Sequence, residues 1–199
     1  MPCEKASGHL MDDDEQLEML SSVRDLGFVQ FLLSDLHDDL PERVARFRQL
    51  ADLSLSMGAN GTMLSGGQAT YQAWQEARSS FVHGNYIATV MLCQGLAEHL
   101  LASFLDMAAP LPSKVSFHET VKRSLAAGVI TDVDAEDLKR LMQLRNPLSH
   151  FRSMDDPSNL TRRMLNTGVM VDDHLRADAS FALSMAVRLL SLPSFRVDG

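Results

Sequence analysis

A chain of 199 residues, 45% hydrophobic and 22% charged, has the length for one domain with an appendage and the composition of an ordinary globular protein, which excludes wholesale disorder. Its 30 Leu, 19 Ala and 12 Met stand against 2 Ile, and this excess of unbranched over β-branched side chains predicts an all-α fold. The net charge of −8 would exclude a nucleic-acid partner if it were spread evenly, but residues 1–40 carry ten acids and two bases while the remaining 159 residues balance at sixteen of each.

A helical repeat runs over 12–40 (Leu17, Leu20, Val23, Phe28, Phe31), with acids bunched at its start where they complement the helix dipole. Pro41 suits the first turn of a second helix, continued by Val44, Phe47, Leu50 and Leu53. Residues 57–67, MGANGTMLSGG, hold four glycines and cannot sustain a helix. The chain therefore divides into an acidic helical extension over 1–57, a Gly-rich linker over 58–67 and a helical bundle over 68–193. The bundle's first helix covers 68–83 and stops at His83-Gly84-Asn85. Residues 86–109 form a long helix that is apolar nearly all round, hence central. Gln94, Glu98 and His99 interrupt it, which argues for a core helix over a membrane span, and Pro110 and Pro112 stop it. Ser116 followed by Glu119 matches a capping box, and Gly128 closes the short helix that it opens. Asp132 or Asp134 caps the next helix, which carries Leu138, Leu141 and Leu144. Residues 153–173 lack periodicity, and a final helix runs from about His174 to Leu192.

Cys3 and Cys93 make neither a disulfide framework nor a metal spacing, and Cys93 reads as a buried, inert thiol. The first residues lack an apolar signal core, so the expected compartment is the cytoplasm, and the triplets at Asn60 and Asn159 are not glycosylation sites. His118-Glu119 lacks the second histidine of a zinc protease helix, and His9, His37, His83, His99 and His174 are scattered without ligand spacing. The glycine stretch lacks the Lys-Ser/Thr of a phosphate loop, and there is no GxSxG elbow. No metal or other cofactor is implied.

One interior stretch is basic. Residues 139–163 carry Lys139, Arg140, Arg145, Arg152, Arg162 and Arg163 against Asp155 and Asp156, a local charge of +4. Within it, LMQLRNPLSHFR places Arg145-Asn146-x-x-x-His150 at a helix end. This resembles the RNxxxH form of the R-x4–6-H signature of the HEPN family (higher eukaryotes and prokaryotes nucleotide-binding). The upstream helices joined at Phe81-x-x-Gly84-x-Tyr86, continuing as Ala88…Leu96-Ala97-Glu98-x-x-Leu101, are also similar to that family. The resemblance covers residues 68–192. It implies a HEPN-like antiparallel helical bundle acting as a metal-independent endoribonuclease, as in toxin–antitoxin or phage-defence systems. It also implies a homodimer whose two motifs meet in one cleft, RNA as substrate and a protein antitoxin as partner. The alternative is a non-catalytic module that kept the fold for dimerisation and for protein or nucleotide binding.

The residues themselves suit that chemistry. In a regular helix, positions five apart are separated by about 140° and share no face. Pro147 disfavours helix at Asn146 and suits the start of a new turn, so a kink is expected, with Asn146 as its cap, turning Arg145 and His150 to one pocket. The 2′-hydroxyl of RNA supplies the nucleophile. His150 exchanges its proton or that of the leaving 5′-oxygen, Arg145 donates to phosphate oxygens as charge builds, and Asn146 orients either. Arg140, Arg152, Arg162 and Arg163 would hold the backbone with a salt-dependent affinity, and Phe151 would stack a base. Structural roles stand beside these. In the structural reading Arg145 pairs with a buried acid, Glu98 on the central helix being best placed, His150 satisfies helix-end carbonyls, and Asn146 is a cap only.

Overall fold

A computed structural model describes residues 26–58 and 60–197, and among them the expected all-α bundle is found, with seven α-helices and no strand. They are α1 (Leu26–Ser54), α2 (Gly67–Val82), α3 (Tyr86–Ala108), α4 (Phe117–Ala126), α5 (Asp132–Ser149), α6 (Leu160–Thr167) and α7 (Val171–Leu190). The first half of the 12–40 pattern, with most of its acids, lies outside the described residues, as do Cys3 and His9. By contacts the chain forms two compact units, Met1–Glu42 and Arg43–Gly199.

Two expectations about the N-terminal third are corrected. Pro41 does not open a second helix but lies inside α1. Proline holds a helical φ and removes only one backbone donor, so a helix with register on both sides survives it. The boundary also falls earlier than the glycines. Leu50 and Arg46 are buried in the second unit, and Arg46 Nε donates to the carbonyl of Val82 at 2.9 Å, satisfying an acceptor at the exposed end of α2. The glycine stretch is more than a linker. Met63 N–H donates to Phe195 O at 2.7 Å, Val197 N–H to Gly61 O at 3.2 Å, and the Thr62 hydroxyl to Leu190 O at 3.1 Å. Gly58 adopts φ +85°, and a Cβ there would stand 2.7 Å from the Arg196 guanidinium. The guanidinium end can swing aside, so it is the positive φ that calls for glycine.

The core of the second unit is built around α3. Its Val90, Cys93, Ala97, Leu100 and Leu101 are fully buried, and it packs against α2, α4, α5 and α7. Small residues at the crossings, Ala77 of α2 and Ala179, Ala182 and Ala186 of α7, let the axes approach, while leucines fill the remaining space. Each buried leucine contributes about 1.5–3 kcal/mol. By length and composition alone α3 would suffice to cross a membrane, and in this fold its buried side chains occupy the bundle centre. Burial pushes the Cys93 thiol up to about 12, so it is inert as the sequence suggested.

Helix ends show where local signals operate. The Ser116 hydroxyl accepts from Glu119 N–H at 3.2 Å, but the Glu119 carboxylate turns to Arg123 at 2.8 Å, so only half of the expected box forms. The expected aspartate cap of α5 is instead Thr131, whose hydroxyl takes the Asp134 N–H while Asp134 accepts the Thr131 N–H at 2.9 Å. Residues 153–173 are not irregular throughout. Asn159 caps α6 by accepting from Thr161 and Arg162 N–H, and Gly168 closes it at φ +72°. Two turns with no buried residue leave too little periodic signal to read. α7 begins at Val171, before His174.

Candidate functional site

Helix α5 carries the motif outward from the core. Its inner face, Ala135, Leu138 and Leu141, is buried, and Asp134 near its start is fully buried and bonded to Arg188 of α7. Burial alone would raise the Asp134 carboxyl. The Thr131 N–H, the Arg188 guanidinium and the Thr131 hydroxyl outweigh it and hold the group below the ordinary carboxylate range. These contacts fix the helix at its start, and Met142, Leu144 and Leu148 in its later half pack partly buried against the core.

The expected break at Asn146 is absent, since α5 runs unbroken through Pro147 to Ser149. Pro147 stands in the last turn, where its missing donor costs a single intrahelical bond and only two residues follow it in the helix. Asn146 is consequently not a cap. Its carbonyl accepts the His150 N–H at 3.0 Å and the Ser149 hydroxyl at 3.3 Å. The chain leaves the helix at His150, with φ −131° and ψ 140°, and this extended step replaces the kink in bringing the motif together. Arg145 Nη1 lies 3.5 Å from His150 Nε2.

A guanidinium has donors only, so a hydrogen bond between the two has Nε2 of His150 as its acceptor. His150 is exposed and Arg145 half-buried, with its Nε buried and without a hydrogen-bond partner. The expected pairing of Arg145 with Glu98 does not form. Glu98 accepts from Gln94 Nε2 at 2.9 Å on its own helix, and among the described residues Arg145 makes no ion pair. A cation that makes no ion pair among the described residues therefore stands beside an imidazole at the exposed end of the helix. The pair can receive an anion and a proton at neighbouring points.

The residues that follow are ordered. Arg152 lies 3.9 Å from Asp156 through its Nε, and its carbonyl accepts from Asn159 Nδ2 at 3.2 Å. The Ser158 hydroxyl and N–H, against a burial effect of opposite sign and with the charge of Arg152 adding, hold Asp156 below the usual range. Phe151, 92% exposed, projects from this turn. Arg162 is exposed on α6, and Arg140 is held over the ring of Phe181, 4.2 Å from its centroid. Arg163 is a different case. Its Nη1 and Nη2 donate to Asp178 at 2.6 and 3.0 Å, so this arginine is spent on a buried acid and drops out of the group available to phosphate. The Asp134–Arg188 and Arg163–Asp178 pairs had no sequence signal beyond the Thr131-x-x-Asp134 box, because both join separate helices. Among the described residues no group of three or more metal-ligating side chains converges. No family model, curated protein or solved structure matches the chain.

Proposed function

We propose that this protein is a metal-independent endoribonuclease of the HEPN type. What carries the reading is the approach of Arg145 to His150 at the exposed end of the helix, with no carboxylate among the described residues paired to the arginine. A phosphodiester placed there meets the donors of Arg145 and, beside them, the lone pair of His150 Nε2. The imidazole takes the proton of the 2′-hydroxyl as the 2′-oxygen bonds to phosphorus. The bond to the 5′-oxygen breaks, and that oxygen takes a proton from a second imidazole. The ends are a 2′,3′-cyclic phosphate and a 5′-hydroxyl. One chain supplies one such histidine, so the reading includes a homodimer in which two tips face each other. Arg152, Arg162 and Arg140 hold the RNA backbone, Phe151 stacks a base, and the setting is a cytoplasmic toxin–antitoxin or defence system with a protein antitoxin.

The test is cleavage of single-stranded RNA in EDTA. Cutting with cyclic-phosphate ends is expected, together with a loss of at least about 100-fold in His150→Ala and in Arg145→Ala, neither of which alters thermal unfolding. Cutting that survives His150→Ala overturns the assignment. The second reading, a non-catalytic helical module for dimerisation and for protein or nucleotide binding, is favoured by the exposed apolar side chains of α1.

A further inference from the structure

We infer that Asn159, at the start of α6, is a positioning residue for the Arg145–His150 pair. It holds the backbone beyond His150 in the extended course that brings the imidazole to the guanidinium. Its part in cleavage rests on the ribonuclease reading; its hold on the backbone rests on contacts of its own. Helix α5 carries no stop signal at its end. Positive-φ glycines follow α2, α4 and α6 at Gly84, Gly128 and Gly168, and Pro110 follows α3. After α5 come His150, Phe151, Arg152, Ser153 and Met154, with neither glycine nor proline before Pro157. A helix that ran on through His150 would set this residue about 140° from Arg145 around the axis and part the two. The turn away from the helix therefore needs a partner outside residues 150–152.

Asn159 is that partner. Its Nδ2 donates to the Arg152 carbonyl at 3.2 Å, while its Oδ1 accepts the Thr161 N–H at 2.9 Å and the Arg162 N–H at 3.4 Å. The two helix-end donors require an oxygen on their side, so the amide nitrogen faces Arg152. Among the described residues no other hydrogen bond reaches the backbone of Phe151 or Arg152. The segment is thus tied at both ends, by His150 N–H to Asn146 O and by Arg152 O to Asn159. The intervening turn is closed by Asp156 N–H to Ser153 O at 3.1 Å and Asn159 N–H to Asp156 O at 2.9 Å. Each residue has two soft backbone dihedrals, so three residues between two ties have little freedom. With the Asn159 tie cut, His150 is free to join the helix and carry its ring away from Arg145.

Two variants of the full chain separate this tie from the capping of α6. Asn159→Ser keeps a capping oxygen but is too short to reach Arg152 as well, and Asn159→Asp keeps the shape and the cap but puts an oxygen where the donor was. By NMR without RNA, the Cα chemical shifts of residues 150–152 should leave the extended range in both variants while those of α6 stay helical. Single-turnover cleavage of single-stranded RNA in EDTA should slow at least about 10-fold. RNA affinity of Asn159→Ser, which adds no charge, and its thermal unfolding should stay as in wild type. A residue that served only as a cap would move neither the shifts nor the rate in Asn159→Ser. Extended shifts kept in both variants, or altered shifts with a wild-type rate, overturn the positioning role. Wild type that cuts no RNA, with shifts that move as expected in the variants, overturns the ribonuclease reading and the part in cleavage, while the hold of Asn159 on the backbone stands.

Discussion

Two arginine–histidine contacts in this protein have nearly the same length and opposite characters. At the tip of α5, Arg145 Nη1 stands 3.5 Å from His150 Nε2; between α6 and α7, Arg163 Nη2 stands 3.4 Å from His174 Nδ1. The second contact is completed on every side. Arg163 also grips the buried Asp178, and His174 Nε2 lies 2.9 Å from the Thr167 hydroxyl. Because arginine only donates, a bond from Arg163 is accepted at Nδ1 of His174, whereas Arg145 faces Nε2 of His150. Among the described residues the first contact has no acid and keeps a buried Nε without a partner, and its imidazole is exposed. A cation that has its carboxylate holds helices together. One without it has capacity left for an incoming anion.

Breaking the completed cluster should cost the most. Asp178→Ala leaves the Arg163 charge half-buried without its acid, and we expect a loss of about 3 kcal/mol in a urea melt, with the proposed RNA cleavage by the folded protein unaffected. A melt unchanged within about 0.5 kcal/mol would erase the distinction between the two clusters.

Acid should next separate the rigid end of α5 from its tip. Asp134 has its carboxyl lowered in the fold, so the stability that it contributes is complete above the ordinary carboxylate range and is lost as pH falls through the lowered value. Wild type should lose about 2 kcal/mol more than Asp134→Asn on passing from about pH 6 to about pH 2, the size of charge-assisted bonds to a buried group. Equal losses in the two proteins would remove Asp134 as the anchor of the helix.

The smallest effect sharpens the comparison most. His174→Ala should destabilise by about 1 kcal/mol through its lost bonds, while His150→Ala should stay within about 0.5 kcal/mol. Thermal unfolding of the two variants side by side checks this, and a larger cost at His150 would make that residue structural.

Much of the bundle was legible because helical periodicity is a local property. The burial of Cys93 on α3, the stop at Gly84 and the cap at Ser116 all follow from residues within a few positions of one another. Proline misled twice, at Pro41 and Pro147, for one reason. The rule that a proline ends a helix weighs one lost hydrogen bond and a steric contact, yet proline itself holds a helical φ, and both helices continue through it. α6 escaped because eight residues on the surface bury nothing. In the candidate site, the identity of Arg145 and His150 was readable from their spacing. The route by which they meet was not, since it depends on the extended backbone of a single residue after the helix.

The order of residues by itself determined that this chain is helical, where most of its helices lie, and which basic stretch carries an arginine and a histidine five apart. These are consequences of side-chain shape and period along a short length of chain. Only the tertiary structure decided that Arg163 is spent on Asp178 and that Arg145 is left without Glu98. An arginine's partner is chosen by which helices pack side by side, and that choice is made by the core, far along the chain from the charges it brings together.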